Sequence, residues 1–477
     1  MKKIYRYTLL LLVGLLAYSV SSCDDLTGLN NDPKHYTEAK PAALFLSGQK
    51  NLADVYGTAS AGTAPFRVIS QIWTQNSATE ESKYNLAVIT NTGSWWTQLY
   101  AKVLSNLKQA KGGYAKEAGS QNAVAIVDIL EVYTYYLLVN TYGDIPYFDA
   151  VTDHTPFPKY DDAKTVVLDL IHRLDADIAN LDATQSSIGS ADQIYGGDVV
   201  KWRKFAATLK LKAAVLIAKA DAQTASAKAL EAVATGVFAA NSDNALFKYD
   251  GAVTGNSNNV WYTLVFSGRH DYSPAQFFIA TLQQRNDPRM DLLFAKNAAG
   301  GYSGGIAGQD NDYTALSPLS AAWLDPKRPV NLLDYSEAEF LLAEAAARQI
   351  AVGGTPEEHY KKAVKASILA WGGSETVADD YLNEPSIQYA TATWQEQIGY
   401  QKWIAFADRA WDAWTEIRRL GYPDIDVISP PVGAQGKLPQ RLVYPSSEQT
   451  SNSVNWKKAV EQIQGGKDVV SVNLFWK

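Results

Sequence analysis

Apolar side chains at Val167, Leu170, Ile171, Leu174 and Ile178 fall three or four positions apart, which gathers them on one face of a helix over 163–181. Trp202, Phe205, Leu209, Ala213 and Leu216 draw a second stripe over 200–219, and the Ala-rich segment 224–236 follows after a short break. Further along, 335–350 and 357–371 read as two helices joined by Val352-Gly353-Gly354-Thr355-Pro356, whose glycines stop one helix and whose Thr-Pro starts the next. Trp403, Ala407, Ala410, Trp414 and Ile417 predict one helix over 400–419, while 42–56 and 120–140 are apolar enough to be helical as well. Trp95, Trp96 and Tyr100 are spaced for a helix packed into the same scaffold.

Several helix pairs of this size, following one another with short turns, predict a mostly α fold: a TPR-like stack of helix pairs, an alpha-alpha superhelix. Two stretches break the pattern. Residues 240–334 are rich in Asn, Asp, Gly, Tyr and Pro with one clear helix near Pro274 to Gln284, and 421–477 are irregular and Pro-rich. The expected body is therefore 42–477, with a helical scaffold over 42–239 and 335–420. A loop-rich second region over 240–334 and 421–477 is where ligand or partner surfaces are expected.

The start of the chain differs from the rest. Lys2, Lys3 and Arg6 precede an apolar run from Thr8 to Val20, a secretory signal too short for a comfortable membrane span. No later segment is expected to reach 18 uncharged apolar residues. The only cysteine, Cys23, closes Val20-Ser21-Ser22-Cys23 and fits a lipobox, predicting a signal over 1–22, acylation of Cys23 and a polar tether over 23–41. Two or more acyl chains anchor durably because each buried methylene adds about 0.8 kcal/mol. With one cysteine no internal disulfide forms, and packing alone holds the fold.

Removing 1–22 takes three of the 43 basic residues and leaves 40 against 50 acidic, a net charge of about −10. Such a surface does not suit nucleic acid. Of the histidines His35, His154, His172, His270 and His359, no two stand at metal-ligand spacing, so neither a zinc site nor a cofactor is expected. Gly301-Tyr302-Ser303-Gly304-Gly305 matches GxSxG, but no apolar strand precedes it and a loop is the expectation. Asp144, Asp271, Glu339, Glu344 and Glu416 are the acids a glycosidase would draw on, though three of them sit on helices beside apolar stripes, where ion pairing is the commoner role. Asp310-Asn311-Asp312 has oxygens for calcium without the twelve-residue loop that binds it.

What remains is aromatic and amide chemistry, the mixture that stacks the apolar face of a sugar ring and pairs its hydroxyls. Trp73, Asn76, Glu80, Glu81, Lys83 and Tyr84 form one cluster. Asn256, Asn258, Asn259, Trp261, Tyr262, Arg269, His270, Asp271 and Tyr272 form another. From these, Trp73, Asn76, Tyr84, Asn258, Trp261, Tyr262, Arg269 and Asp271 are the expected ligand contacts.

Taken in order, the motifs resemble the SusD/RagB family of Bacteroidota lipoproteins, and most closely its SusD-like 2 subgroup. Asp24-Asp25 after Cys23 is similar to a surface-export signal; Trp96-Leu99-Tyr100 resembles the early scaffold helix; Tyr142-Gly143-Asp144-Ile145-Pro146-Tyr147 matches the GDIP turn, followed by Pro158-Lys159-Tyr160-Asp161. Lys201 to Lys212 resembles the W-x-K-F-A-N-S-L-x-L-R helix, with Ala207 and Lys212 in place of Asn and Arg. Tyr335 to Ala345, Trp414 to Pro423 (with Leu420 for Thr) and Leu438 to Pro445 complete the order.

The resemblance implies fold more than ligand contacts, with Asp144 bracing its turn and Glu339, Glu344, Glu416 and Arg418 satisfying buried groups. It also implies a non-enzymatic, outer-membrane lipoprotein, lipid-held through Cys23, that binds a glycan and delivers it to a SusC-like TonB-dependent transporter. A peptide-binding member of the family, a surface glycoside hydrolase and a purely structural lipoprotein are the alternatives.

Overall fold

The computed structural model describes residues 39–152, 155–251, 258–262, 268–425 and 437–477. Cys23 and Asn256 lie outside these residues. In chain order the scaffold helices are α1 (Pro41–Tyr56), α2 (Ser105–Tyr114), α3 (Gln121–Tyr142), α4 (Ala163–Asn180), α5 (Val199–Leu216), α6 (Ala222–Thr235), α7 (Tyr335–Ala347), α8 (Pro356–Ala370), α9 (Trp394–Ala405) and α10 (Ala410–Leu420). Many begin where the sequence supplies an acceptor for the free N–H groups of the first turn. Asp162 accepts from the Thr165 amide at 2.8 Å ahead of α4, and Asp198 caps α5. Thr355 and Glu358 close a reciprocal capping box ahead of Pro356 in α8.

Consecutive helices pack in pairs: α1 on α2, α3 on α4, α5 on α6, α7 on α8 and α9 on α10. This is the helix-pair stack that the apolar stripes predict. One helix departs from the expectation for apolar runs. α3 is long and apolar enough to cross a membrane, yet 89% of its apolar window is buried inside the fold. It is the central core helix, apolar all round because neighbours cover every face.

The helix expected over 400–419 is two helices. The chain breaks at 406–409 between α9 and α10. The break frees the carbonyls of Ala407 and Asp408, which accept from Arg67 at 3.0 and 2.8 Å. It also turns Arg409 onto Glu337 at 2.7 Å, a geometry a continuous helix would not give. The terminal region expected to be irregular holds two short helices, Ser446–Ser451 and Ser453–Gln462. They are fixed by tertiary bonds rather than by an apolar stripe: Asn452 donates to Pro158 O and Asn455 to Phe157 O, both at 2.9 Å.

Two buried charge clusters lock the scaffold. Lys212 of α5 pairs with Glu337 of α7 at 2.8 Å and with Asp412 of α10, which also accepts from Tyr56 of α1. Arg419 of α10 pairs with Glu344 of α7 and Glu416, and Lys402 of α9 pairs with Glu416 at 2.7 Å. Burial alone would raise the Glu416 carboxyl, but Arg419 and Lys402 hold it well below the usual carboxylate range. Within these clusters each buried ion meets one of opposite charge, the condition for tolerating ions in a core. Asp144 braces the turn after α3 by accepting from the Ala163 amide at 2.9 Å.

The described strands are short and form two antiparallel pairs: β1 (Trp73–Gln75) with β3 (Tyr272–Pro274), and β2 (Ala245–Phe247) with β4 (Val330–Leu333).

Candidate functional site

The β1–β3 pairing brings together the two aromatic clusters that stand nearly two hundred residues apart in sequence. Trp73 faces Pro274, Thr74 faces Ser273 and Gln75 faces Tyr272. The ladder continues one step: the Asn76 amide donates to Asp271 O at 2.8 Å, and its side chain donates to His270 O at 2.7 Å. Asn76 therefore holds the backbone of the next residues along, Arg269 to Asp271, in place.

Behind the ladder the indoles of Trp73, Trp261 and Trp323 pack on one another. Trp73 and Trp261 lie 5.2 Å apart with their planes tilted by 30°, while Trp323 meets Trp73 edge-on at 5.7 Å and Trp261 at 5.4 Å. All three are buried, with no hydrogen-bond partner for their indole N–H groups among the described residues. Trp261 is oriented by Asn259, whose side chain accepts from the Trp261 amide at 2.8 Å and donates to Arg328 O at 2.7 Å. The Arg67 guanidinium covers Trp261 at 4.7 Å. Burial lowers the Arg67 pKa to about 10, which still leaves it a cation at neutral pH.

Trp73 and Trp261 form the floor of a cavity of about 370 Å³, within the range small-ligand sites occupy. Its rim carries Arg269, paired with Asp271, and beside them His270 stacked on Tyr313 at 4.1 Å and 10°. Tyr313 is 45% exposed. Lys296, Asn297, Thr314 and Ser317 line the facing wall. A flat aromatic face at the mouth, apolar rings beneath and donors and acceptors around it suit a ring that is apolar on its faces and polar at its edge.

Of the expected contacts, the structure brings Trp73, Trp261, Arg269 and Asp271 to this cavity, along with His270 and Tyr272. It does not bring Asn76, Tyr84, Asn258 or Tyr262 there. Tyr84 is buried under the scaffold and donates to Ile69 O at 3.1 Å, and Glu81 accepts from Gln75 at 2.8 Å. Tyr313 and the wall over 296–317 lie in the loop-rich region 240–334 expected to carry ligand or partner surfaces, but none of their residues was among the expected contacts. Their one sequence signal is a lone tyrosine in the polar run Asp310-Asn311-Asp312-Tyr313-Thr314.

The GxSxG segment proves to be part of the wall's attachment. Ser303 donates to Ala315 O at 2.9 Å, and Gly305 N donates to Pro274 O at 2.8 Å. A Cβ at Gly304 would sit 2.6 Å from the Ala275 carbonyl, so Gly304 answers to a close approach of two backbones, and one at Gly305 would meet the side chains of Thr74 and Asn311; neither marks a nucleophile elbow. Asn311 donates to Gln75 O at 3.0 Å and to Gln309 O at 2.8 Å, and Asp312 caps a short turn by accepting from Thr314. Among the described residues no group of three or more His, Cys, Asp or Glu is placed to hold a metal.

No curated protein sequence matches this chain. Among solved structures it is similar to a chitin-binding protein at 26% identity and a TM-score of 0.81, over 92% of this chain and 99% of that one. A SusD-like protein from Bacteroides thetaiotaomicron aligns at 26% identity and a TM-score of 0.79, covering 91% and 98%. A chitin-binding SusD homolog from Flavobacterium johnsoniae, at 24% identity and a TM-score of 0.78 over 91% and 98%, shares the fold. Residues 33–445 match the model of a SusD-like family described as starch-binding and associating with the outer membrane. That match spans the stacked helix pairs and the aromatic cavity alike, and with the shared fold it makes this chain a member of the SusD-like family.

Proposed function

We propose that the protein captures a glycan at the cell surface in the cavity floored by Trp73 and Trp261, and delivers it unaltered to a SusC-like TonB-dependent transporter. The parallel His270–Tyr313 pair at the mouth carries this reading, because an exposed flat aromatic face beside Arg269 and Asp271 stacks a pyranose and binds its hydroxyls together. Arg269, Asp271, His270 and Tyr313 contact the ligand; Trp73 and Trp261 shape the floor, and Asn76 positions His270. The chitin-binding name of a similar protein and the starch-binding description of the family favour a polysaccharide built of N-acetylglucosamine or glucose. Acylation at Cys23 holds the protein on the outer membrane beside its transporter, and the shared membrane raises their effective concentration. Uptake requires release, so affinity is moderate and off-rates are fast.

The mature protein is to be tested on an array of plant, host and microbial glycans, with mass spectrometry of the same samples. Selective binding of intact glycan is expected. Silence across the array would move the reading to peptide uptake, and cleaved products would overturn it.

A further inference from the structure

On the far side of Trp323 from this site lies a second cavity, larger at about 570 Å³, closed by segments around β2, β4, α8 and α9. The two share a wall. Trp323 touches Trp73 and Trp261 on one side and Trp371, at 5.2 Å, on the other. The next residue, Leu324, lines the first cavity, and Asp325 lines the second. Adjacent Cα atoms are about 3.8 Å apart, so the partition there is one residue thick.

The second cavity has the chemistry of the first. Trp371 is partly exposed, and the Arg328 guanidinium is held between Trp323 and Trp371 at 4.1 and 4.8 Å and paired with Asp408 at 3.1 Å. Asn331 donates to Asp334 at 2.8 Å and Asn241 to Ala366 O at 3.0 Å, which fixes the orientation of both amides. The oxygen of each is buried with no partner among the described residues. An amide oxygen in that position costs stability unless a donor reaches it.

We propose that this cavity is a second saccharide subsite, taking further sugar units of the same chain whose first units sit over His270 and Tyr313. The proposal rests on the glycan reading above. In it, Trp371 stacks a ring, Asp325 and the partly exposed Arg328–Asp408 pair meet its hydroxyls, and the chain crosses the exposed side of Leu324.

The test is titration of the mature protein with chito- and malto-oligosaccharides of two to eight units. Two variants fill or strip the second cavity: Ala370→Trp, at an exposed wall position, and Trp371→Ala. Tyr313→Ala is the control in the first cavity. The expected result is that both second-cavity variants weaken the longer oligomers about tenfold and leave dimers unchanged, while Tyr313→Ala weakens every length. Ala370→Trp stands alone if Trp371→Ala unfolds. Long oligomers bound equally well by the wild type and by the second-cavity variants, with Tyr313→Ala impaired, overturn the subsite and spare the glycan reading. Indifference to all three variants, or no binding of either series, overturns both.

Discussion

His359 Nδ1 lies 2.6 Å from Glu339 Oε2, and the other ring nitrogen lies 2.6 Å from the carbonyl of Gly353. A carbonyl only accepts and a carboxylate accepts when ionised, so both ring nitrogens must donate and the imidazole is held as a cation. Burial opposes the charge, but the bonds to Glu339 and Gly353 outweigh it and raise the pKa above the free value. The contribution is then full below about pH 6.5, where the unfolded histidine is also charged, and is lost as pH rises through the higher folded value. His359→Gln is expected to cost about 2 kcal/mol at pH 5.5 and distinctly less at pH 9. Thermal unfolding of both proteins across that range checks this, and a gap that stays constant with pH would refute it.

Asp177 of α4 gives the same direction from the opposite chemistry. Burial and the neighbouring Asp128 push its carboxyl up to about 9. The fold keeps a proton that the unfolded chain gives up near pH 3.9, so this residue's contribution is present below that value and falls away as pH climbs toward 9. Asp177→Asn, neutral at every pH, is expected to match the wild type at pH 4 and to exceed it by several kcal/mol, at most about 5, at pH 8. Urea unfolding at the two pH values decides it; no gain at pH 8 would sink the account.

Lys212 stands where relatives are expected to carry arginine, and it answers both Glu337 and Asp412 in the core. Lys212→Met would leave two buried carboxylates short of a cation and is expected to cost about 3–5 kcal/mol. Adding Asp412→Asn should return part of that loss, since the charge left unpaired is then smaller. Chemical denaturation of the three variants measures it, and simple additivity would show that the groups are not coupled.

Floor and rim of the cavity should separate by experiment. Trp73→Ala opens a hole among Trp261, Trp323 and Phe294, and is expected to cost about 3–5 kcal/mol of stability. Tyr313→Ala removes an exposed ring and should leave the melting temperature unchanged while lowering glycan affinity about tenfold. A Tyr313→Ala protein that melts early would make the tyrosine a structural residue.

Most of the scaffold was legible because α4 and α8 bury a stripe, which is written in the spacing of apolar residues, while α5 and α7, buried on nearly every face, still carry apolar residues at helical spacing. The break at 406–409 was not, since Ala407 and Ala410 keep the helical stride and the donor that satisfies the freed carbonyls, Arg67, stands some 340 residues away. For the site, sequence supplied the aromatic clusters but not which of their members face a cavity. Trp73 and Tyr84 read alike, yet Trp73 sits on β1 against β3 whereas Tyr84 turns under the scaffold at a positive φ of 63°. Tyr313 was invisible because its partner ring, His270, is joined to it only by the tertiary fold.

The wall bearing Tyr313 hangs from the rest of the protein by main-chain bonds: Gly305 N to Pro274 O, Gln276 N to Gly305 O and Asn311 N to Asn76 O. None of these involves the side chains of Lys296, Tyr313 or Thr314. The side chains at the mouth can therefore be exchanged without disturbing the main-chain bonds that mount the wall, so what lines the cavity and what holds its wall in place are separable parts of the fold.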